Sequence, residues 1–187
     1  MKILAISGSL RKGSSNTILL EAAMKLAPAG VEISLYEKLG DIPLFNPDLD
    51  DLDNGVAPPA VLEFRAQLQA FDAVLISSPE YAHGVSGVLK NALDWLVGSG
   101  EFSNKPVALI NASPRSLHAH DALMETLRTI TGTHVTEGKL TVSLGGRKLE
   151  PDLLAADPAI AGVLNATLAA LVQAAQPAPA DGPVRPG

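Results

Sequence analysis

Hydroxyl side chains, glycines and an arginine are concentrated directly after the first apolar run of the chain. Residues 7–17 are Ser-Gly-Ser-Leu-Arg-Lys-Gly-Ser-Ser-Asn-Thr. Hydroxyls and a guanidinium are donors that suit a phosphate dianion. The start of a helix adds free N–H groups and a favourable dipole. We predict a phosphate-binding loop here, and the alternative is a Ser/Gly-rich turn that only caps a helix.

The same loop excludes several kinds of phosphate site. It lacks the Gly-Lys-Ser/Thr ending of a P-loop and the G-x-G-x-x-G pattern of a dinucleotide site. The chain has no cysteine, so a tyrosine phosphatase loop is excluded. Ser-Gly-Ser stands where a phospho-receiver domain needs carboxylates. The phosphate of a flavin mononucleotide (FMN) remains.

The elements that must position this loop form an alternating pattern. Continuous apolar tetrads at residues 3–6, 73–76 and 107–110 are typical of central strands in a parallel sheet. Residues 31–35 alternate, which suits a strand near an edge, and a fifth strand is predicted within residues 135–143. Helical spacing of apolar residues predicts helices around residues 18–26, 61–71, 85–96, 123–130 and 160–171. Gly132 is placed as the C-cap of the fourth helix.

This alternation predicts a doubly wound α/β sandwich with strand order 2-1-3-4-5. Ligands of such sheets bind beyond the carboxyl ends of the strands at the switch in strand order. The loops at that point are residues 7–16 and 77–84. The second of them is Ser-Ser-Pro-Glu-Tyr-Ala-His-Gly.

The two loops together resemble the NADPH-dependent FMN reductase family, which includes flavin, quinone, azo-dye and chromate reductases. The family pairs G-S-x-R-x-x-S-x-N/T with P-E-Y-x-x-x-x-x-x-x-L-K-N-x-x-D-W, and both motifs are present, at residues 8–16 and 79–95. The resemblance covers roughly residues 1–173. It implies a flavodoxin-like three-layer sandwich with a five-stranded parallel sheet and non-covalent FMN.

The resemblance also implies a set of cofactor-binding residues. The phosphate would be held by Ser9, Arg11, Ser14, Ser15, Asn16 and Thr17. The isoalloxazine ring would be cradled, largely by backbone groups, by Pro79, Glu80, Tyr81, Ala82, His83 and Gly84. Ser113, in the loop of residues 111–116, would flank the other side of the ring. The family often has Asn at Ala82, Ser at Gly84 and Pro at Ser86, and a Gly-rich sequence at residues 114–116.

Three single residues have two interpretations each, and a fourth has one candidate role. Tyr81 either packs on the end of the sheet or stacks at the rim of the flavin site. His83 is a loop histidine or, less often, a proton relay. Trp95 caps the core or marks a subunit contact. Arg115 is a candidate clamp for the 2′-phosphate of NADPH.

Composition limits the other functions. The chain has 187 residues and a net charge of −6, which argues against nucleic-acid binding. No apolar run reaches the length of a membrane span, and the N-terminal run is too short for a signal peptide, so we expect a cytoplasmic protein. We expect a solvated acidic loop at residues 46–55 and not a metal site, and His118 and His120 as surface residues. We expect one domain at residues 1–175 and a disordered Pro/Ala-rich tail at residues 176–187.

The preferred hypothesis is an enzyme. It is an FMN-dependent NAD(P)H oxidoreductase, a homodimer or homotetramer, that takes hydride from NADPH or NADH and reduces a flavin, quinone or similar small acceptor by a ping-pong route. No protein side chain is assigned as catalytic, because the flavin carries the chemistry. The alternatives are a flavodoxin-type electron carrier without its own reductase activity and a partner-binding protein that has lost its flavin.

Overall fold

The computed structural model describes residues 1–131, 140–144 and 148–176. Its strands, in chain order, are β1 (Lys2–Ser7), β2 (Glu32–Leu35), β3 (Ala73–Ser77), β4 (Glu80–Tyr81), β5 (Gly84–Val85), β6 (Val107–Asn111) and β7 (Leu140–Thr141). Five of them form one parallel sheet in the order β2-β1-β3-β6-β7, while β4 and β5 pair as a short antiparallel hairpin. Without the hairpin strands this is the predicted order 2-1-3-4-5.

Burial of the strands follows their sequence patterns. The three apolar tetrads lie in β1, β3 and β6, and both faces of these strands are covered. The alternating strand β2 lies at one edge of the sheet with its first residue exposed. The fifth strand, predicted within residues 135–143, is confirmed in part as β7, and residues 135–139 of that range lie outside the described residues.

Six helices cover the two faces of the sheet in the described part of the chain. They are α1 (Ser15–Lys25), α2 (Pro59–Ala70), α3 (Gly87–Asp94), α4 (Leu117–Thr131), α5 (Pro151–Ala156) and α6 (Pro158–Ala174). Apolar side chains of α1, α5 and α6 pack in one core, and those of α2, α3 and α4 pack in the other. All five predicted helices are confirmed, and α5 was not predicted. The predicted end of α4 at Gly132 and the tail beyond Gln176 lie outside the described residues.

The acidic loop is not the fully solvated segment that the sequence suggested. Asp50 accepts two hydrogen bonds from Arg65 of α2, at 2.8 and 2.7 Å, and the two side chains are only 9% and 7% exposed. Arg65 also donates to the backbone oxygen of Trp95. Burial of a charge is costly unless it is paired, so this bidentate pair explains how one aspartate of the loop leaves water.

Two kinds of feature are absent from residues 1–131, 140–144 and 148–176. None of the helices there combines the length and apolar composition that crossing a bilayer requires. Within the same ranges, no three His, Asp or Glu side chains converge as a metal site.

Candidate functional site

The first and second loops leave the sheet side by side. Ser7 and Ser77 are partners in the register of β1 and β3, and the backbone N–H of Gly8 donates to the oxygen of Ser77 at 2.8 Å. The two sequence motifs therefore begin at the same point of the carboxyl edge. This is the switch point at which an open α/β sheet binds its ligand.

Gly8 permits the close contact between these loops. A Cβ atom at this position would lie 2.4 Å from Oγ and 2.8 Å from Cβ of Ser78, and 3.0 Å from Oγ of Ser86. Real Cβ atoms essentially never approach another heavy atom closer than 3.0 Å. The first glycine of the motif is thus explained by packing, since any side chain would push the second loop away.

Three of the proposed phosphate residues also organise the loop itself. Ser14 is the N-cap of α1 and accepts from the N–H of Asn16 at 3.3 Å. Asn16 Oδ1 accepts from the buried hydroxyl of Ser77 at 2.9 Å. The hydroxyl of Thr17 lies 2.7 Å from that of Ser7. The first turn of α1 is therefore fastened to the ends of β1 and β3.

The remaining donors of the first loop are open to a ligand. Arg11 is exposed, and its guanidinium makes one weak contact, at 3.3 Å, with the oxygen of Gly13. Ser9 and Ser15 are partly exposed, and the early N–H groups of a helix lack intrahelical partners. A cationic fork, hydroxyls and a helix start form a donor set that fits a phosphate dianion.

The second loop folds into the β4–β5 hairpin. Glu80 pairs with Val85 and Tyr81 with Gly84, so Ala82 and His83 alone form the turn. Their φ angles are +50° and +61°, as in a type I′ turn, which ordinarily prefers Asn-Gly. The family's frequent Asn at the position of Ala82 fits this geometry, and the alanine of this chain does not.

The hairpin contacts the start of α4. Glu80 Oε2 accepts from the N–H of Ala119 at 2.9 Å, so the Glu80 side chain caps a helix. The rings of His83 and His118 stack with centroids 4.3 Å apart and an interplanar angle of 27°. The surface assignment holds for His118, which is exposed, but it was wrong for His120, which is buried at 7% exposure because it faces β3 and β6.

Tyr81 does not pack on the end of the sheet. It is 58% exposed at the tip of the hairpin, so its ring is free to contact a ligand at the rim. Pro79, between β3 and the hairpin, and Gly84, opposite Tyr81, are partly buried. The hairpin therefore leaves its turn and one aromatic ring open to a ligand.

The third loop is braced by Asn111. Its Nδ2 donates to the oxygen of Ser116 at 2.9 Å, and its Oδ1 accepts from the N–H of Ser113 at 3.0 Å. Ser113 Oγ in turn accepts from the N–H of Arg115 at 3.3 Å, while Arg115 itself is exposed. This loop follows β6 and leads into α4, so it lies next to the hairpin on the side away from α1.

Asn91 and Trp95, at the end of the second motif, hold the chain after β2 in place, a role that the sequence did not indicate. Asn91 donates to the oxygen of Pro43 at 2.9 Å and accepts from the N–H of Phe45 at 2.8 Å. The indole N–H of Trp95 donates to the same Pro43 oxygen at 2.9 Å, and the Trp95 side chain is fully buried. Of its two interpretations, packing in the core is thus confirmed, because these residues fasten the chain after β2 to α3.

Tyr36 follows β2 at the same edge of the sheet. Burial, with smaller contributions from the negative charges of Glu63 and Asp41, raises its pKa to about 12. The phenol therefore stays protonated near neutral pH. It cannot serve as a base at this edge.

Comparison with known proteins agrees with this geometry. The chain is 48% identical over 115 residues to an NAD(P)H-dependent FMN reductase of Pseudomonas aeruginosa, which is 60% of each chain. It is 42% identical over 115 residues to an NADPH:quinone oxidoreductase of Arabidopsis thaliana, covering 59% of this chain and 57% of the relative. The chain thus spans about three fifths of the length of the curated relatives that it matches.

A solved structure and a family model extend the likeness. A flavoenzyme NAD(P)H:(acceptor) oxidoreductase from Paracoccus denitrificans superposes with a TM-score of 0.70 at 30% identity, over 93% of this chain and 96% of that one. The model of the family described as NADPH-dependent FMN reductase matches residues 1–146. These residues include β1, the hairpin and the loop after β6. The chain belongs to the NADPH-dependent FMN reductase family.

Proposed function

We propose that this protein is an FMN-dependent NAD(P)H oxidoreductase that reduces a flavin, quinone or similar small acceptor by a ping-pong route. The observation that carries the proposal is the contact between the two loops at the carboxyl edge, where Gly8 meets Ser77 and Ser78. A phosphate-suited donor set and an exposed aromatic hairpin thereby face one ligand. The names of the relatives support the same activity.

The residues present fit FMN. Arg11, Ser9, Ser15 and the start of α1 would hold the phosphate, while Ser14, Asn16 and Thr17 keep the loop in shape. The backbone of residues 79–84 would support the ring, with Tyr81 at its rim. Ser113 would lie on the opposite side.

Bound FMN supplies the redox chemistry, because it accepts hydride from a nicotinamide and returns electrons to an acceptor. The chain's own contribution is orientation and access. Ala82 and Gly84 carry little or no side chain beside the exposed His83, which leaves room for a planar substrate. No side chain is required as a proton donor in this scheme.

We also propose that the protein is a homodimer or homotetramer of the cytoplasm. Large apolar side chains are exposed on the segments that flank α3. They are Leu44, Phe45, Leu49, Leu52, Val56, Leu62 and Val97. Exposed apolar patches commonly mark contacts between proteins, and sedimentation of the purified chain measures the assembly.

Reduction of the purified protein under anaerobic conditions tests the enzyme proposal. The protein is expected to bind FMN, and NADPH or NADH alone should bleach the flavin absorbance in one phase. Adding a quinone should then restore the yellow colour, with parallel-line steady-state kinetics. If NAD(P)H leaves the flavin oxidised while a chemical reductant reduces it in two separate one-electron steps, the protein is a flavodoxin-type carrier instead.

A further inference from the structure

The β4–β5 hairpin has too few internal contacts to define its own conformation. It contains two residue pairs, and an isolated two-stranded hairpin is marginally stable in water. Both turn residues adopt a left-handed conformation without being glycine, which is sterically costly for residues with a Cβ atom. Such a conformation persists when the surroundings impose it.

The surroundings that impose it belong to the first turn of α4. Ala119 N–H binds the carboxylate of Glu80 at the first strand of the hairpin. His118 stacks on His83 at the second residue of the turn. Two consecutive residues of α4 thus hold the two ends of residues 80–83, and the Ala119–Glu80 contact spans 39 residues of the sequence.

We propose that His118 is a positioning residue for the flavin site, because its ring holds the Ala82–His83 turn in the conformation that supports the isoalloxazine ring. The inference rests on the proposed function for its ligand. The two contacts, His118 with His83 and Ala119 with Glu80, are called the clasp below, and they are present in the free protein. His118 acts through His83 and has no assigned contact with cofactor or substrate.

Amide hydrogen exchange of the ligand-free protein measures the clasp directly. In His118→Ala, the amides of residues 80–85 should exchange about two- to tenfold faster, the range that a lost aromatic pair produces. His118→Phe keeps a stacking ring and should restore slow exchange. Glu125→Ala, an exposed change farther along α4, serves as the matched control and should leave the hairpin unchanged.

Ligand binding completes the test. His118→Ala should weaken FMN and riboflavin by the same factor, about two- to tenfold, because the ring end and not the phosphate end is loosened.

Two outcomes overturn the inference. One is that residues 80–85 of His118→Ala exchange their amide hydrogens as slowly as in the unmodified protein. The other is that these amides exchange fast in His118→Phe as well as in His118→Ala. A protein that binds no flavin but shows the expected exchange pattern overturns the proposed function and retains the clasp.

Discussion

The loop after β1 and the hairpin after β3 meet at one edge of the sheet, but they are held in different ways. The first loop is held by several hydrogen bonds, within itself at Ser14, to the end of β1 through Thr17 and to the end of β3 through Asn16. Its one left-handed residue in the turn is Gly13, which adopts that conformation without steric cost. The hairpin instead has left-handed Ala82 and His83 and is held by a distant helix.

The difference teaches which end of the site is preformed. A loop that is hydrogen-bonded to itself and to two strand ends keeps its shape whether or not a ligand is bound, so a phosphate meets donors already in place. A strained turn held by a few outside contacts is easier to displace. We therefore expect the phosphate end to determine affinity and the hairpin end to adapt to different acceptors.

The largest expected effect is on the free energy of unfolding, from a substitution at Gly8, where the first loop meets the second. Gly8→Ala places a methyl group against Ser78 and Ser86, and overpacking of this kind costs up to about 3 kcal/mol of folding free energy. Chemical denaturation measures the loss, and flavin binding should fall with it. Gly162→Ala in α6 is the matched control, because nothing lies within 4 Å of its added Cβ and a helical alanine stabilises by about 1 kcal/mol. An unchanged free energy of unfolding in Gly8→Ala would show that the loops separate easily.

A smaller effect should distinguish the phosphate end. Arg11→Ala should weaken FMN at least about tenfold, roughly 1.4 kcal/mol or more, by removing a charge-assisted hydrogen bond. Riboflavin, which lacks the phosphate, should bind as before in a fluorescence titration. Lys12→Ala, the neighbouring exposed cation, should change FMN affinity less. Equal losses for both ligands in Arg11→Ala would place the arginine elsewhere than at the phosphate.

The smallest effect concerns the strain in the hairpin. Ala82→Asn introduces the residue that a type I′ turn prefers and should stabilise the protein by about 0.5–1 kcal/mol. Asn104, with φ of +56°, offers the reverse experiment, since Asn104→Ala should destabilise by a similar amount. Thermal unfolding of the two variants measures both changes. If Ala82→Asn unfolds at the temperature of the unmodified protein, the turn is not strained and the contrast between the regions is weaker than we describe.

The fold could be predicted because its elements have strong local patterns. Continuous apolar tetrads identified β1, β3 and β6, and alternation identified the edge strand β2. The short helix α5 was missed because six residues, Pro151–Ala156, are too few to show helical periodicity.

The position of the site was predictable from topology and composition together, while its internal bonding was not. Nothing in the residue types shows that Asn16 binds Ser77 or that His83 stacks on His118, since both pairs join distant segments. The buried pair of Asp50 and Arg65 was missed for the same reason, because a run of aspartates is usually solvated. The assignment of individual residues to FMN, the domain boundary at residue 175 and the disorder of the tail stay predictions.

The fluorescence of Trp95 should report on two parts of the protein. Trp95 is the single tryptophan of the sequence, its indole is fully buried, and its N–H is bonded to Pro43. Its fluorescence therefore comes from one known environment and should shift to longer wavelength when α3 leaves the core. The absorbance of a bound flavin overlaps this emission, so one fluorescence signal should report both the loss of the core and the occupancy of the site.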